Sequence, residues 1–105
     1  MAIVDAILKV ERFVSGLENA DEFYNNERTF DAVLMNLVVI GETVSKLSEE
    51  LTGRFHDIPW NKIKGLRNII AHNYFGVDAE EVWQIIHSSL LILKEDLTNL
   101  LKAAG

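Results

Sequence analysis

Cysteine, proline and long apolar runs are scarce or absent in this chain of 105 residues, and each shortage excludes a class of structure. Without any cysteine, the chain can form neither a disulfide scaffold nor a thiolate metal site. With one proline and six glycines, it contains long stretches free of helix breakers. No run approaches the roughly 20 apolar residues that span a bilayer, and the start lacks the basic region of a signal peptide. We therefore expect a cytoplasmic protein that does not enter a membrane.

Positive charge is also scarce, but it is concentrated. The net charge is −6, which is unfavourable for a broad nucleic-acid surface because phosphate contacts require lysine and arginine. Residues 54–74 contain four basic residues and one acidic residue, a net charge of +3, whereas the rest of the chain has a net charge of −9. This pattern indicates a local anion site, or a surface for an acidic partner, on an otherwise acidic body.

Apolar residues recur every three or four positions, which is the period of a helix packed on one side. The spacing predicts helices over about 2–16, 27–52, 59–74 and 78–100, with a loop at 18–26 that contains at most one helical turn. Nothing alternates with the period of two that marks a strand. We therefore predict an all-α fold with a single domain over 1–105, an up-and-down bundle of about four helices, three long and one short.

Two features of the second and fourth helices suggest how they pack. Gly41 lies in the middle of the second helix, where glycine costs about 1 kcal/mol relative to alanine, so we expect another helix to approach it closely. The apolar stripes on these helices are wider than a bundle of this size needs. Among the surplus residues are Val38, Val39, Val82, Ile85 and Ile92, which either line a homodimer interface or fill the core of the monomer.

The third helix has a polar face suited to phosphodiester chemistry. At about 100° per residue, Arg67, Asn68 and His72 lie within roughly 140° of one another, with Lys64 among them, and the isoleucines point the other way, toward the core. Tyr74 returns to nearly the direction of Arg67, about 10 Å along the axis. A guanidinium binds two phosphate oxygens at once, and an imidazole exchanges protons near neutral pH.

Simpler interpretations of the same residues remain open. His72 is equally compatible with a solvated surface, Arg67 with a salt bridge to Glu42 or Glu49, and Tyr74 with anchoring of the helix end against the core. We find no histidine pair at metal-ligand spacing with a carboxylate and no glycine-rich phosphate loop, so we predict no metal and no other cofactor.

Three blocks of sequence resemble HEPN domains of the HepT toxin family. The segment Arg67–Tyr74 is similar to the RX4HXY motif of that family and keeps its fixed positions. The residues on either side of it, 57–60 and 74–78, and the stretch 36–42 on the second helix are similar as well. The likeness extends over nearly the whole chain.

The resemblance implies a fold, an activity and partners. Members are all-α homodimers in which the motifs of two subunits line one cleft, and they act as metal-independent ribonuclease toxins. Their antitoxin is a small MntA-like nucleotidyltransferase, which in similar systems transfers AMP to the motif tyrosine, here Tyr74. Carried over, Arg67 and His72 become catalytic residues, and Asn68, Lys64 and Asn73 become supporting or RNA-binding residues.

These implied roles give a mechanism, and one alternative function stays open. His72 would act as general base on the RNA 2′-hydroxyl, and Arg67 would stabilise the phosphorane. The alternative is a non-catalytic HEPN module that binds nucleotides or serves as the partner subunit of a nucleotidyltransferase.

Overall fold

The computed structural model describes residues 2–104, without the side chains of residues 75, 103 and 104. Its elements in chain order are α1 (Ala2–Val14), α2 (Ala20–Asn25), α3 (Glu27–Ser45), α4 (Glu49–Gly53), α5 (Trp60–His72), a 3-10 turn (Tyr74–Gly76), α6 (Ala79–His87) and α7 (Ser89–Ala104). Within the described residues there is no strand, so the all-α prediction is confirmed. The predicted domain, 1–105, includes two residues, 1 and 105, that lie outside the described range.

Local sequence signals explain where helices begin and end. The side chain of Asn26 accepts a hydrogen bond from the Thr29 amide at 3.2 Å and caps α3. Asp78 caps α6 by accepting from the Glu80 amide at 3.0 Å. Gly16 has φ +89° just after α1, a conformation that glycine adopts without a steric penalty and that ends the helix there.

Two predicted helices are interrupted in the structure, because serine side chains compete for backbone hydrogen bonds. The second ends at Ser45, and Ser48 then caps the separate helix α4 by accepting from the Leu51 amide at 3.2 Å. The fourth is divided at Ser88, whose hydroxyl donates to the Gln84 carbonyl at 2.6 Å. The segment predicted as a loop contains the six-residue helix α2, which buries Phe23 completely.

The core is built mainly where α1 and α3, and α3 and α5, pack together. Its fully buried large side chains come from six of the helices: Ile3, Ile7, Val10, Phe23, Leu34, Leu37, Ile40, Ile63, Ile85, Leu90, Leu93 and Leu97. Val82 and Ile85, which we considered as possible interface residues, are buried in this monomer core, whereas Val39 is 44% exposed. The exposed apolar surface of the two predicted helices therefore lies on α3 and on α7, where Leu91 and Leu101 are 39% and 45% exposed, and not on α6.

The contact between α3 and α5 positions the polar face of α5. A Cβ at Gly41 would lie 3.1 Å from the Ile63 carbonyl oxygen and 3.3 Å from both the Arg67 Cβ and the Arg67 amide nitrogen. The close approach expected at Gly41 is therefore confirmed, and the approaching helix is α5. Because the neighbouring atoms are mostly backbone, the absence of a side chain at residue 41 sets the distance between Arg67 and α3.

Candidate functional site

The outer face of α5 presents the predicted site residues to solvent. Arg67, Asn68 and His72 are exposed, and Lys64 is half-buried one turn before Arg67. Ile63, Leu66 and Ile70 on the opposite face are buried in the core. The amphipathic pattern of the helix thus turns the guanidinium and the imidazole outward together.

One apolar residue of α5 departs from the predicted orientation. Ile69 was expected to face the core, but it is 49% exposed. On the helical wheel it lies at the edge of the apolar stripe, about 200° from Arg67, where the bundle no longer covers it. An exposed isoleucine therefore stands one residue from Asn68.

Arg67 has a carboxylate partner on α3. Its Nη1 donates to Glu42 Oε2 at 2.6 Å, and the two side chains are 46% and 42% exposed. Glu42 was one of the two partners considered from sequence, and the structure selects it. Because an exposed ion pair contributes only about 0–1 kcal/mol, a substrate phosphate can displace Glu42 from the guanidinium.

Tyr74 is held by a second carboxylate of α3. Its hydroxyl donates to Asp31 Oδ1. This hydrogen bond, together with partial burial and the negative charge of Asp31, raises the pKa of Tyr74 to about 12. The hydroxyl therefore stays protonated near neutral pH and points at a group that can take its proton.

Asn73 lies apart from the α5 face, at the end of the helix. Its backbone amide donates to the Ile69 carbonyl at 3.1 Å, and its side chain occupies the space that a Cβ at residue 76 would need. Within the described residues, no hydrogen bond joins Asn68 to His72. The structure thus brings Arg67, Asn68 and His72 together and assigns Asn73 to the turn that follows.

Sequence reasoning missed Asp31, although a signal for it was present. Asp31 and Glu42 are eleven residues apart, which is three turns of helix, so both fall on one face of α3. Arg67 lies on α5, whereas Tyr74, which was expected on the same helix, begins the 3-10 turn because α5 ends at His72. Asp31 near the start of α3 faces Tyr74, and Glu42 near its end faces Arg67, so α3 and α5 are antiparallel. The register between the two helices, which decides these pairs, is not visible in the spacing.

The described residues offer neither a metal site nor a membrane span. Among residues 2–104, no three histidine or carboxylate side chains are grouped closely enough to hold a metal ion. In the same part of the chain, none of the helices has both the length and the hydropathy required to cross a bilayer.

Comparison with known proteins places the chain in a family. The model of the family described as "Ribonuclease HepT-like" matches residues 3–103. A Methanocaldococcus jannaschii protein named "Putative RNase MJ1380" is 34% identical over 77 residues, which cover 73% of this chain and 71% of that protein. "Probable ribonuclease HepT" of Thermococcus cleftensis is 28% identical over 100 residues, covering 95% of this chain and 90% of that protein.

Some relatives are considerably longer. The chain spans 45% of the Methanocaldococcus jannaschii protein named "Gamma-glutamylcyclotransferase and putative RNase MJ0434", to which it is 27% identical over 100 residues. No solved structure matches the chain. Because the family model covers almost every described residue and the RX4HXY spacing is intact, this chain belongs to the family of HepT-like ribonucleases.

Proposed function

We propose that this protein is a metal-independent endoribonuclease that cleaves RNA on the outer face of α5. The observation that carries the proposal is that Arg67 and His72 are both solvent-exposed on one side of a helix whose other side is buried. Membership of the HepT-like ribonuclease family supports the same activity. The protein acts in the cytoplasm, where RNA is accessible to it.

The chemistry requires only a base, an acid and a cation, because RNA carries its own nucleophile. His72 removes the proton of a 2′-hydroxyl, whose oxygen attacks the adjacent phosphorus. Arg67 leaves Glu42 and stabilises the negative charge of the phosphorane. His72 of the partner subunit gives a proton to the leaving 5′-oxygen. The products are a 2′,3′-cyclic phosphate and a 5′-hydroxyl.

The polar neighbours of these two residues bind and orient the substrate. Asn68 is exposed one turn before His72, where its amide contacts the phosphate or orients the ring. Lys64 adds positive charge one turn before Arg67. Asn73 lies beyond the end of α5 and contacts the RNA strand where the RNA leaves the α5 face.

A homodimer completes the site in this proposal. Met35 and Val39 are 66% and 44% exposed on the same face of α3 as Asp31 and Glu42, and Ile69 is 49% exposed on α5. Apolar residues beside the polar groups of the site favour a second copy as their cover. Docking there brings two sets of Arg67 and His72 to one cleft.

We further propose that the protein is the toxin of a toxin–antitoxin pair and that Tyr74 is its control point. An MntA-like nucleotidyltransferase supplies ATP in a position where the Tyr74 oxygen attacks the α-phosphorus. The bond to pyrophosphate breaks, and Asp31 takes the hydroxyl proton. The added phosphate brings negative charge close to Arg67 and competes with RNA for the cation.

An RNA cleavage assay in EDTA tests the nuclease proposal. The wild-type protein should cleave in the presence of the chelator, and His72→Ala should lose at least about a hundredfold in rate, the usual contribution of a general base, with an unchanged circular dichroism spectrum. Cleavage by the folded variant at the wild-type rate would overturn the assignment. A tight complex with the nucleotidyltransferase without any cleavage would instead establish a non-catalytic partner module.

A further inference from the structure

A cleft beside Tyr74 plays no part in the proposed cleavage chemistry. It has a volume of about 500 Å³ and lies where the end of α2, the start of α3 and the 3-10 turn meet. Seven residues line it: Tyr24, Asn25, Glu27, Phe30, Asp31, Tyr74 and Val77. The volume is within the range of small-molecule sites and is large enough for one nucleobase.

One wall of the cleft offers an aromatic ring for stacking. Tyr24 is 55% exposed, although large aromatic residues are usually more deeply covered. Its ring meets the Phe30 ring edge-on, with centroids 5.5 Å apart and an interplanar angle of 83°. Phe30 in turn packs on the buried Phe23 at 5.0 Å. Tyr24 is therefore held at its edge while much of its surface stays available to a ligand.

The charged groups of the cleft accept hydrogen bonds and repel phosphate. Glu27 and Asp31 contribute two carboxylates, which are acceptors only when ionised. Within residues 2–104, neither of them forms a salt bridge. Asp31 uses one oxygen for the Tyr74 hydroxyl and has a second oxygen to offer. The ligand that fits is neutral and flat and carries N–H donors along one edge.

We propose that this cleft binds a nucleobase with an exocyclic amino group, guanine above all, from the RNA strand whose phosphate contacts Arg67. Guanine presents two adjacent N–H donors that a carboxylate accepts together, and cytosine and adenine present an amino group. Uracil has no amino group, and two carbonyl oxygens, which a carboxylate repels, flank its one ring N–H. Tyr74 lines the cleft and contacts Asp31, and Arg67 contacts Glu42 three turns further along α3, about 16 Å away, so an RNA strand of a few nucleotides reaches from the cleft to Arg67.

This inference rests on the proposed function, because the nucleobase comes from the RNA that the protein is proposed to cleave. Its test is nevertheless independent of cleavage. The probes are 2′-O-methyl uridine hexamers that carry one guanosine, adenosine, cytidine or uridine at the centre. They lack the nucleophilic hydroxyl, so their affinity is measurable whether or not the protein cuts RNA. We expect the guanosine hexamer to bind about tenfold more tightly than the all-uridine hexamer.

Four variants locate the preference in the cleft. Tyr24→Ala should weaken binding of every hexamer about fivefold or more, and Tyr24→Phe, which keeps the ring, should bind as the wild type does. Glu27→Gln should narrow the difference between guanosine and uridine, because the amide presents a donor where an acceptor stood. Phe13→Ala is the matched control, since Phe13 is 41% exposed on α1, outside the cleft, and its loss should change nothing.

The outcomes distinguish failure of the nucleobase site from failure of the nuclease proposal. Equal affinity for all four hexamers, or Tyr24→Ala behaving like Phe13→Ala, would overturn the nucleobase site even if the protein cleaves RNA. Tighter binding of the guanosine hexamer without any cleavage of natural RNA would support the nucleobase site and overturn the proposed nuclease function. Free guanosine binding as tightly as the guanosine hexamer would show a mononucleoside site and so contradict the assignment to an RNA strand.

Discussion

At the scale of single residues, two carboxylates on α3 bind two of the three polar side chains of the motif. Glu42 holds Arg67 and Asp31 holds Tyr74, both through hydrogen bonds between exposed side chains. Sequence reasoning placed the arginine, histidine and tyrosine on one surface because their helical spacing is informative. It did not find Asp31, since the register between α3 and α5, which decides what Asp31 faces, leaves no mark in the spacing of either helix alone.

Removing the charge of Glu42 tests whether this residue competes with substrate. Glu42→Gln should tighten RNA binding about threefold to fivefold, because the phosphate no longer displaces an ion pair worth up to about 1 kcal/mol. Glu49→Gln, on the exposed surface of α4, makes the same change in net charge and is the control. Fluorescence anisotropy with a labelled RNA gives both affinities. An equal gain in the two variants would show that general charge, and not the Arg67 contact, limits binding.

At the scale of elements, the contact between α3 and α5 depends on the missing side chain at Gly41. Gly41→Ala gains helix propensity but forces a methyl group against the Ile63 carbonyl and the Arg67 backbone, which cannot swing aside. We expect a net loss of about 1–2 kcal/mol in the free energy of unfolding and at least a tenfold loss of cleavage, because Arg67 is displaced. Urea denaturation and initial rates measure the two effects.

Gly65 supplies the control for that substitution within α5. A Cβ there meets nothing within 4 Å, so Gly65→Ala should raise the free energy of unfolding by up to about 1 kcal/mol through helix propensity alone. If both substitutions raise the stability equally, α5 yields to the methyl group and the close approach does not position Arg67.

The same scale shows where sequence patterns are sufficient and where they fail. The apolar stripes and the close approach at Gly41 were predictable, since each is a local signal with one physical meaning. The breaks at residues 46–48 and at Ser88 were not predicted, because the apolar spacing continues through both. Ser48 and Ser88 are the causes, but serine is common enough inside helices that its presence alone does not predict a break.

At the scale of the whole molecule, two carboxylates lie close together: Asp57 in the segment before α5 and Asp96 on the last helix, α7. Asp96 on α7 has an oxygen with no solvent exposure and no hydrogen-bond donor among the described residues. Burial raises the pKa of Asp96, and the negative charges of Asp57 and Glu95 raise this pKa further. The ionised form of Asp96 is therefore disfavoured in the folded state.

This contact predicts a pH dependence of stability with a definite sign. Because the pKa of Asp96 is higher in the folded than in the unfolded chain, the folded state binds more protons, and this group stabilises the fold as pH falls toward its ordinary value of 3.8. Asp96→Asn should raise the melting temperature at pH 7 by a few degrees and remove that part of the pH dependence. Glu49→Gln, on the exposed surface of α4, makes the same change in net charge and is the control. A lower melting temperature for Asp96→Asn at pH 7 would contradict the account.

The most direct test of the central claim uses a DNA strand that contains one ribonucleotide, incubated with the protein in EDTA. Only that position has a 2′-hydroxyl for His72 to activate, so we expect a single cut on its 3′ side, with a 2′,3′-cyclic phosphate on one product and a 5′-hydroxyl on the other by mass spectrometry. The same strand with a deoxyribonucleotide at that position, and the His72→Ala protein, should both give no product. Cleavage of the all-DNA strand, or products that carry a 5′-phosphate, would contradict the mechanism.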